Sequence, residues 1–351
     1  LFSLSFFIVQ NTIVSRRFEE ITRQCAALSH AVDTCINTRI VKARQYAADR
    51  DFIDMVTQKS NNELVQYLST KIFLDKIFSF MMVTDPGGNI VATSRMFEDG
   101  QTVPITKIRE KNLGSQRWFR TYSAMPDMSY LLITESDSAD IITTLFPDKK
   151  LFALAVSLRE GDRTHGFWIG YFRHTAVQSI LDEFVSYQDD QPYAYGMLFD
   201  LHGELLVAPG LKKFTEDKLR ISSPDLLSGK TIRGTTQRLR IGSGTYAAAF
   251  QKSLGHGSFL GEKWWTLHVY DRSLFLGFFN GRTYVSFLVI ILALYGGMIA
   301  GLWRLIDRKS FSIAERFKFN TPTPDLQESL GHKVLVNPYR IEKLKEPVVH
   351  L

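Results

Sequence analysis

The stretch "YVSFLVIILALYGGMIAGLW", Tyr284 to Trp303, holds no charged residue. At a rise of about 1.5 Å per residue it is long enough to cross the hydrocarbon core of a bilayer, about 30 Å thick. Its aromatic ends suit the membrane–water interface, and an uncharged run of this length fits poorly inside a soluble domain. A transmembrane helix over 282–304 is therefore expected. Gly296, Gly297 and Gly301 give it a small-residue face on which another helix can pack.

The span sets the frame for everything on either side of it. Arg304, Arg308, Lys309, Arg316 and Lys318 follow directly, so the positive-inside rule puts 305–351 in the cytoplasm and the preceding domain outside. At the other end "LFSLSFFIVQNTIV" is apolar but short, and 1–14 is read as the end of a first transmembrane helix. A cleaved leader is the competing reading, but no small-residue cleavage site precedes the polar helix that follows. Arg16 and Arg17 then fall on the outer side, against the simple charge rule. Orientation depends on charge asymmetry across the whole topology, so the assignment is kept.

What lies between the spans is an ordinary globular sequence. Of the 351 residues, 45% are hydrophobic, 13% aromatic and 22% charged, a balance that excludes a disordered chain and allows a large core. The net charge of +6 and pI of about 9.1 are spread along the chain without a long basic run, so nucleic acid is not an expected partner.

Val14, Phe18, Ile21, Cys25, Leu28, Val32 and Cys35 repeat in steps of four and three, the spacing that keeps one apolar stripe along a helix. The stripe drifts on to Ile36, Ile40, Ala43 and Ala47. A long stalk helix over 15–58 is predicted, its seam buried either on its own domain or on a second copy. Cys25 and Cys35 lie about 15 Å apart on that helix and cannot bridge each other. Each is a buried free thiol or, across a parallel dimer, one half of an intermolecular disulfide.

Two passages then resemble each other. "FMMVTDPGGNIVATS" and "GMLFDLHGELLVAP" align Asp85 with Asp200 and Gly88 with Gly203 without a gap. Asp opening a turn and Gly where the chain needs positive φ are what a tight hairpin requires. Each passage is followed by an insertion and two long strands, "LFALAVSL" with "FWIGYFR" and "GTYAAAFQK" with "WWTLHVYD". Two copies of one antiparallel sheet are predicted, over 59–175 and 192–276, joined by a helix over 176–191. The fold class is α+β.

A first span, a long helix, two tandem PAS-like sheets and a second span resemble the double Cache sensor domain of bacterial transmembrane receptors. The passage most similar to that family is "LGSQRWFRTYSA", Leu113 to Ala124, which looks like its Arg-x-Trp-Tyr-x-x-Ala stretch in the membrane-distal pocket. The resemblance implies a ligand site in the first copy, with Arg117, Trp118, Phe119, Tyr122, Thr134, Ser136, Asp137, Tyr171 and Arg173 as binding residues and Asp140 on the same loop. The site's location implies an extracytoplasmic sensor in the cell membrane, with a small-molecule ligand, a homodimer, contact with membrane lipid and a cytoplasmic signalling partner.

The sequence also departs from the family. Members that bind α-amino acids place an Arg two residues before the Trp and an Asp on the last distal strand. Those positions hold Gln116 and, by alignment, Phe172. An ammonium group would be costly to bury without its carboxylate, so free amino acids are not the first choice. Arg117 and Arg173 offer forks for an anion such as a carboxylate, or are surface arginines. The aromatics line a cleft or fill a core, and Thr134, Ser136, Asp137 and Asp140 rim the site or sit in a solvated loop.

Catalysis is not expected in this region. His165, His174, His202, His256 and His268 are dispersed with no metal-ligand spacing, and no cofactor or metal is predicted. The glycine-rich stretches "SLGHGSFLGE" and "IGSGT" lack a phosphate loop's Lys-Ser/Thr and are read as turns between strands. The tail after Trp303 is too short for a kinase, a cyclase or a chemoreceptor hairpin, so output passes through a partner or through a domain outside this sequence. The alternative to a sensor is a membrane-anchored periplasmic interaction or assembly module that takes no small molecule.

Overall fold

A computed structural model describes residues 2–125, 128–134, 151–188, 191–211, 221, 232–241, 244–261, 264–271 and 281–318. The chain divides into two units, Leu1–Phe278 and Phe279–Leu351.

The first unit is organised on α1, Phe2–Ala47. Its heptad stripe, Ile21, Cys25, Leu28, Val32, Ile36, Ile40, Ala43 and Ala47, is buried on sheets of the same chain, so the seam packs on its own domain. The helix stops at Ala47, short of position 58. Asp49 starts a new helix, α2 (Arg50–Thr57), by accepting from the Asp51 backbone N–H at 3.2 Å, and α3 (Asn61–Asp75) follows. A capping carboxylate of this kind satisfies one of the four backbone donors that a helix start leaves open.

The distal sheet is built from β1 (Phe80–Thr84), β2 (Ile90–Thr93), β3 (Leu131–Ile133), β4 (Leu151–Glu160) and β5 (Arg163–Arg173). Its spatial order is β2-β1-β5-β4-β3, antiparallel throughout. Between β2 and β3 runs an insertion with α4 (Ile105–Arg109), a 3-10 turn at Leu113–Ser115, and α5 (Arg117–Ser123). The connecting helix α6 is Thr175–Glu183, shorter than the expected 176–191, because β6 (Ser186–Gln188) already belongs to the next sheet.

The proximal sheet adds β7 (Gln191–Asp200), β8 (Leu205–Val207), β9 (Arg233–Ile241), β10 (Gly244–Lys252) and β11 (Trp264–Asp271). Its order β8-β7-β11-β10-β9 repeats the distal order strand for strand, and β6 shares the outer edge of β7 with β8. The repeat holds at the level of single hydrogen bonds. Asp85 accepts from the Asn89 N–H at 2.8 Å, and Asp200 accepts from the His202 and Glu204 N–H groups at 2.8 and 2.7 Å. Gly88 and Gly203 take φ of 83° and 80°, a region a side chain disfavours. The edge strands β3, β6 and β9 were not read from the sequence.

Cys25 is buried with its thiol 3.5 Å from the Ala249 carbonyl oxygen and 3.4 Å from that of Thr266, and burial pushes its pKa up to about 12. An intermolecular bridge there would require α1 to leave the proximal sheet. Cys35 is half-buried, with its sulfur 2.8 Å from the Arg39 guanidinium.

The second unit contributes α7, Gly281–Lys318. Its segment Leu288–Arg308 is long and apolar enough to cross a membrane, and a Cβ added at Gly296, Gly297 or Gly301 would meet nothing within 4 Å. The backbone at positions 2–14 is helical and continuous with the rest of α1.

Candidate functional site

The β1–β2 turn positions the insertion. The Leu113 N–H donates to the Gly88 carbonyl at 2.8 Å, and the Asn112 side-chain amide donates to Asn89 Oδ1 at 2.5 Å. Asn112 Oδ1 in turn accepts from the Gly114 N–H at 2.6 Å. The chain therefore enters α5 from a fixed point on the sheet. Trp118, Phe119 and Tyr122 fall on one face of α5 and are buried, whereas Arg117, Arg120 and Thr121 are exposed.

That buried face meets the outer face of the distal sheet. Strand alternation puts Phe80 and Met82 of β1, Ala153 and Ala155 of β4, and Phe167, Ile169 and Tyr171 of β5 on one side. The small Ala153 and Ala155 leave room for the rings of α5. Phe119 stacks edge-on against Phe167 at 4.9 Å, Tyr122 lies 5.5 Å from Phe167, and Trp118 meets Phe119 at 5.6 Å. Tyr122 Oη accepts from the Ser157 N–H at 3.1 Å, which pins α5 to β4, and burial raises its pKa. The Trp118 indole N–H is buried and finds no acceptor among the described residues.

Four of the sequence-predicted residues thus meet in one cluster: Trp118, Phe119, Tyr122 and Tyr171. Thr134 is buried just past β3. Ser136, Asp137 and Asp140 lie outside the described residues. The two arginines are not brought together. Arg117 is exposed, and Arg173 is ion-paired with Glu98, Nε to Oε1 at 2.7 Å, and with Asp99. Phe172, aligned with the family's ammonium-binding Asp, belongs to the opposite face, where it packs with the α1 core. One residue of shift along a strand changes the face, so alignment alone does not fix which side a residue serves.

Sequence reasoning missed the partners that neutralise Arg173. Glu98 and Asp99 lie some 75 positions earlier, and no local pattern couples them to β5. It also missed Ala153 and Ala155, whose alternation with larger residues in "LFALAVSL" is the available signal. Among the described residues no group of three His, Cys, Asp or Glu side chains is placed to hold a metal.

No protein-family model matches the chain, and no curated protein sequence matches it. Solved structures do resemble it. A domain of a putative sensory box/GGDEF family protein from Vibrio parahaemolyticus superposes with a TM-score of 0.52 at 12% identity, covering 75% of this chain and 99% of its own. The ligand-binding domain of the Pseudomonas fluorescens chemoreceptor CtaA, solved with L-isoleucine, gives 0.51 at 14% identity over 77% and 99%. The extracellular domain of the putative histidine kinase vpHK1S-Z8 gives 0.51 at 12% identity over 74% and 92%. With the long helix, the repeated sheet order and the distal insertion, these likenesses show that the first unit shares the fold of these domains, two tandem PAS-like antiparallel sheets on one long helix.

Proposed function

We propose that this chain is the extracytoplasmic sensing part of a bacterial transmembrane signalling receptor. A small molecule binds on the outer face of the distal sheet beneath α5, and α1 and the second membrane span carry the resulting change across the membrane. The observation that carries this reading is Trp118, a buried indole whose N–H finds no acceptor among the described residues, on the insertion that covers that face. A buried donor without a partner costs about 1–3 kcal/mol, and a ligand acceptor would recover it. Phe119, Tyr122 and Tyr171 belong to the same cluster as Trp118, and this reading assigns Thr134, Ser136 and Asp137 to the ligand as further polar contacts. Arg173 is already neutralised, so Arg117 is left as the cation that would favour an anionic ligand.

Signalling in this scheme is a shift between two arrangements of the unit, and a ligand moves that balance only by its differential affinity for the two. A homodimer in the membrane, packed through the glycine face of α7, and a cytoplasmic partner would complete the path. The test is a thermal-shift screen of the full chain in detergent with amino acids, carboxylates, amines and nucleobases. A compound that raises Tm for the wild type, with the effect abolished in a folded Trp118→Ala variant, supports the sensor. No shift from any class favours the second reading, a periplasmic interaction or assembly module. The continuous apolar packing of α5 on the sheet supports that alternative, because it already fills much of the face.

A further inference from the structure

Away from α5 the distal sheet carries a concavity, a cleft of about 710 Å³ at the end where its hairpins turn. The corner between α2 and α3 supplies Thr57 and Lys59, the β1–β2 turn Asp85, the end of α4 Arg109, and the start of β5 Arg163 and His165. Its volume is that of a small-molecule site, about 300–1,000 Å³. Trp118, Phe119, Tyr122 and Tyr171 do not line it.

The charges in the cleft are unbalanced. Lys59, Arg109 and Arg163 come from three separate elements, and none is in an ion pair among the described residues. The one carboxylate among the described lining residues, Asp85, is occupied by Asn89, which donates its backbone N–H and its side-chain amide at 2.8 Å each. His165 adds a nearly buried ring, its side chain 8% exposed. Its Nδ1 lies 3.3 Å from Thr57 Oγ1, and its Nε2 has no hydrogen-bond partner among the described residues, the nearest carboxylate oxygen being that of Glu160 at 3.6 Å.

Three like charges around one concavity repel one another, and concave walls focus their field. Guanidinium groups match the paired oxygens of carboxylate and phosphate, while an ammonium adds a point charge. A single anion would leave two cations unmatched. We propose that this cleft binds a small polyanion bearing carboxylate or phosphate groups, held by Lys59, Arg109 and Arg163. The assignment is independent of the Trp118 reading.

The experiment is isothermal titration of the full chain in detergent micelles with citrate and with tripolyphosphate, at matched ionic strength. At least one probe should saturate the wild type, and the stronger one identifies the preferred group. The triple variant Lys59→Gln/Arg109→Gln/Arg163→Gln should bind about tenfold more weakly or worse, since each charged hydrogen bond contributes appreciably. A control with the same loss of charge, Arg95→Gln/Arg238→Gln/Lys252→Gln, should bind like the wild type, as should Trp118→Ala. If the triple variant melts early, Arg163→Gln alone, at an exposed position, should still weaken binding several-fold. Absence of saturable binding of both probes, or equal losses in cleft and control variants, overturns the proposal.

Discussion

The two sheets have the same strand order and the same register, yet opposite solutions to packing against the one helix they share. Pairing places Trp168, Gly170 and Phe172 of β5 opposite Val156, Leu154 and Phe152 of β4 on the distal inner face. The matching proximal positions are Thr266, His268 and Tyr270 of β11 opposite Gln251, Ala249 and Ala247 of β10. The distal sheet fills the space beneath α1 with its own large side chains. The proximal sheet leaves it to the helix: Ile21 and Cys25 pack with Ala247 and Ala249, and a Cβ at Gly196 would strike Leu28. The same backbone frame thus accommodates side-chain volume supplied by either the sheet or the helix, because only total packing is constrained.

This contrast breaks most sharply at Trp168, fully buried against Phe78 at 4.9 Å and Tyr46 at 5.7 Å. Trp168→Ala should cost about 3–5 kcal/mol in denaturant unfolding, since α1 cannot move in to refill the hole. The same change at the matching Thr266 should cost far less; equal losses would remove the distinction between the faces.

The next effect is one of pH. Burial lowers the pKa of His268 from 6.5 to about 4, and its Nε2 lies 3.4 Å from the Phe184 carbonyl oxygen. The native state therefore holds this ring neutral. A depressed folded pKa contributes stability above about 6.5 that is lost as pH falls toward about 4. Melting of the full chain across that window should show a steep decline that His268→Gln flattens. The distal counterpart is Gly170, which has nothing to titrate.

Smaller effects sharpen the comparison further. Ala249→Leu overfills the proximal inner face and should cost about 1–3 kcal/mol, read from the shift of the unfolding midpoint. Arg173→Gln removes a partly exposed ion pair and should cost about 1 kcal/mol or less. If Arg173→Gln instead left stability untouched and abolished a ligand-induced Tm shift, Arg173 would return to the binding site.

Much of this contrast lay in the sequence without being legible there. The Asp-x-x-Gly turns and the α1 stripe are local patterns, and each maps onto an observed element. The helix break at Asp49 is also local, but the stripe of Ala43 and Ala47 runs straight up to it and masks the cap. Which face a strand residue serves is a matter of parity, so Phe172 and Tyr171 exchange roles on a single step of alignment. The neutralisation of Arg173 by Glu98 and Asp99 is a tertiary event, and β3 and β9 are edge strands defined by their partners rather than by their own pattern.

The contact between Cys25 and the Thr266 carbonyl joins positions 241 apart. A ribosome adding about 5–20 residues per second needs about 10–50 s to cover that distance. Through that interval the lower half of the α1 stripe has been made and its proximal partners have not. The nascent chain thus passes through a long stage with an uncovered apolar helix, in which association with other chains competes with correct assembly.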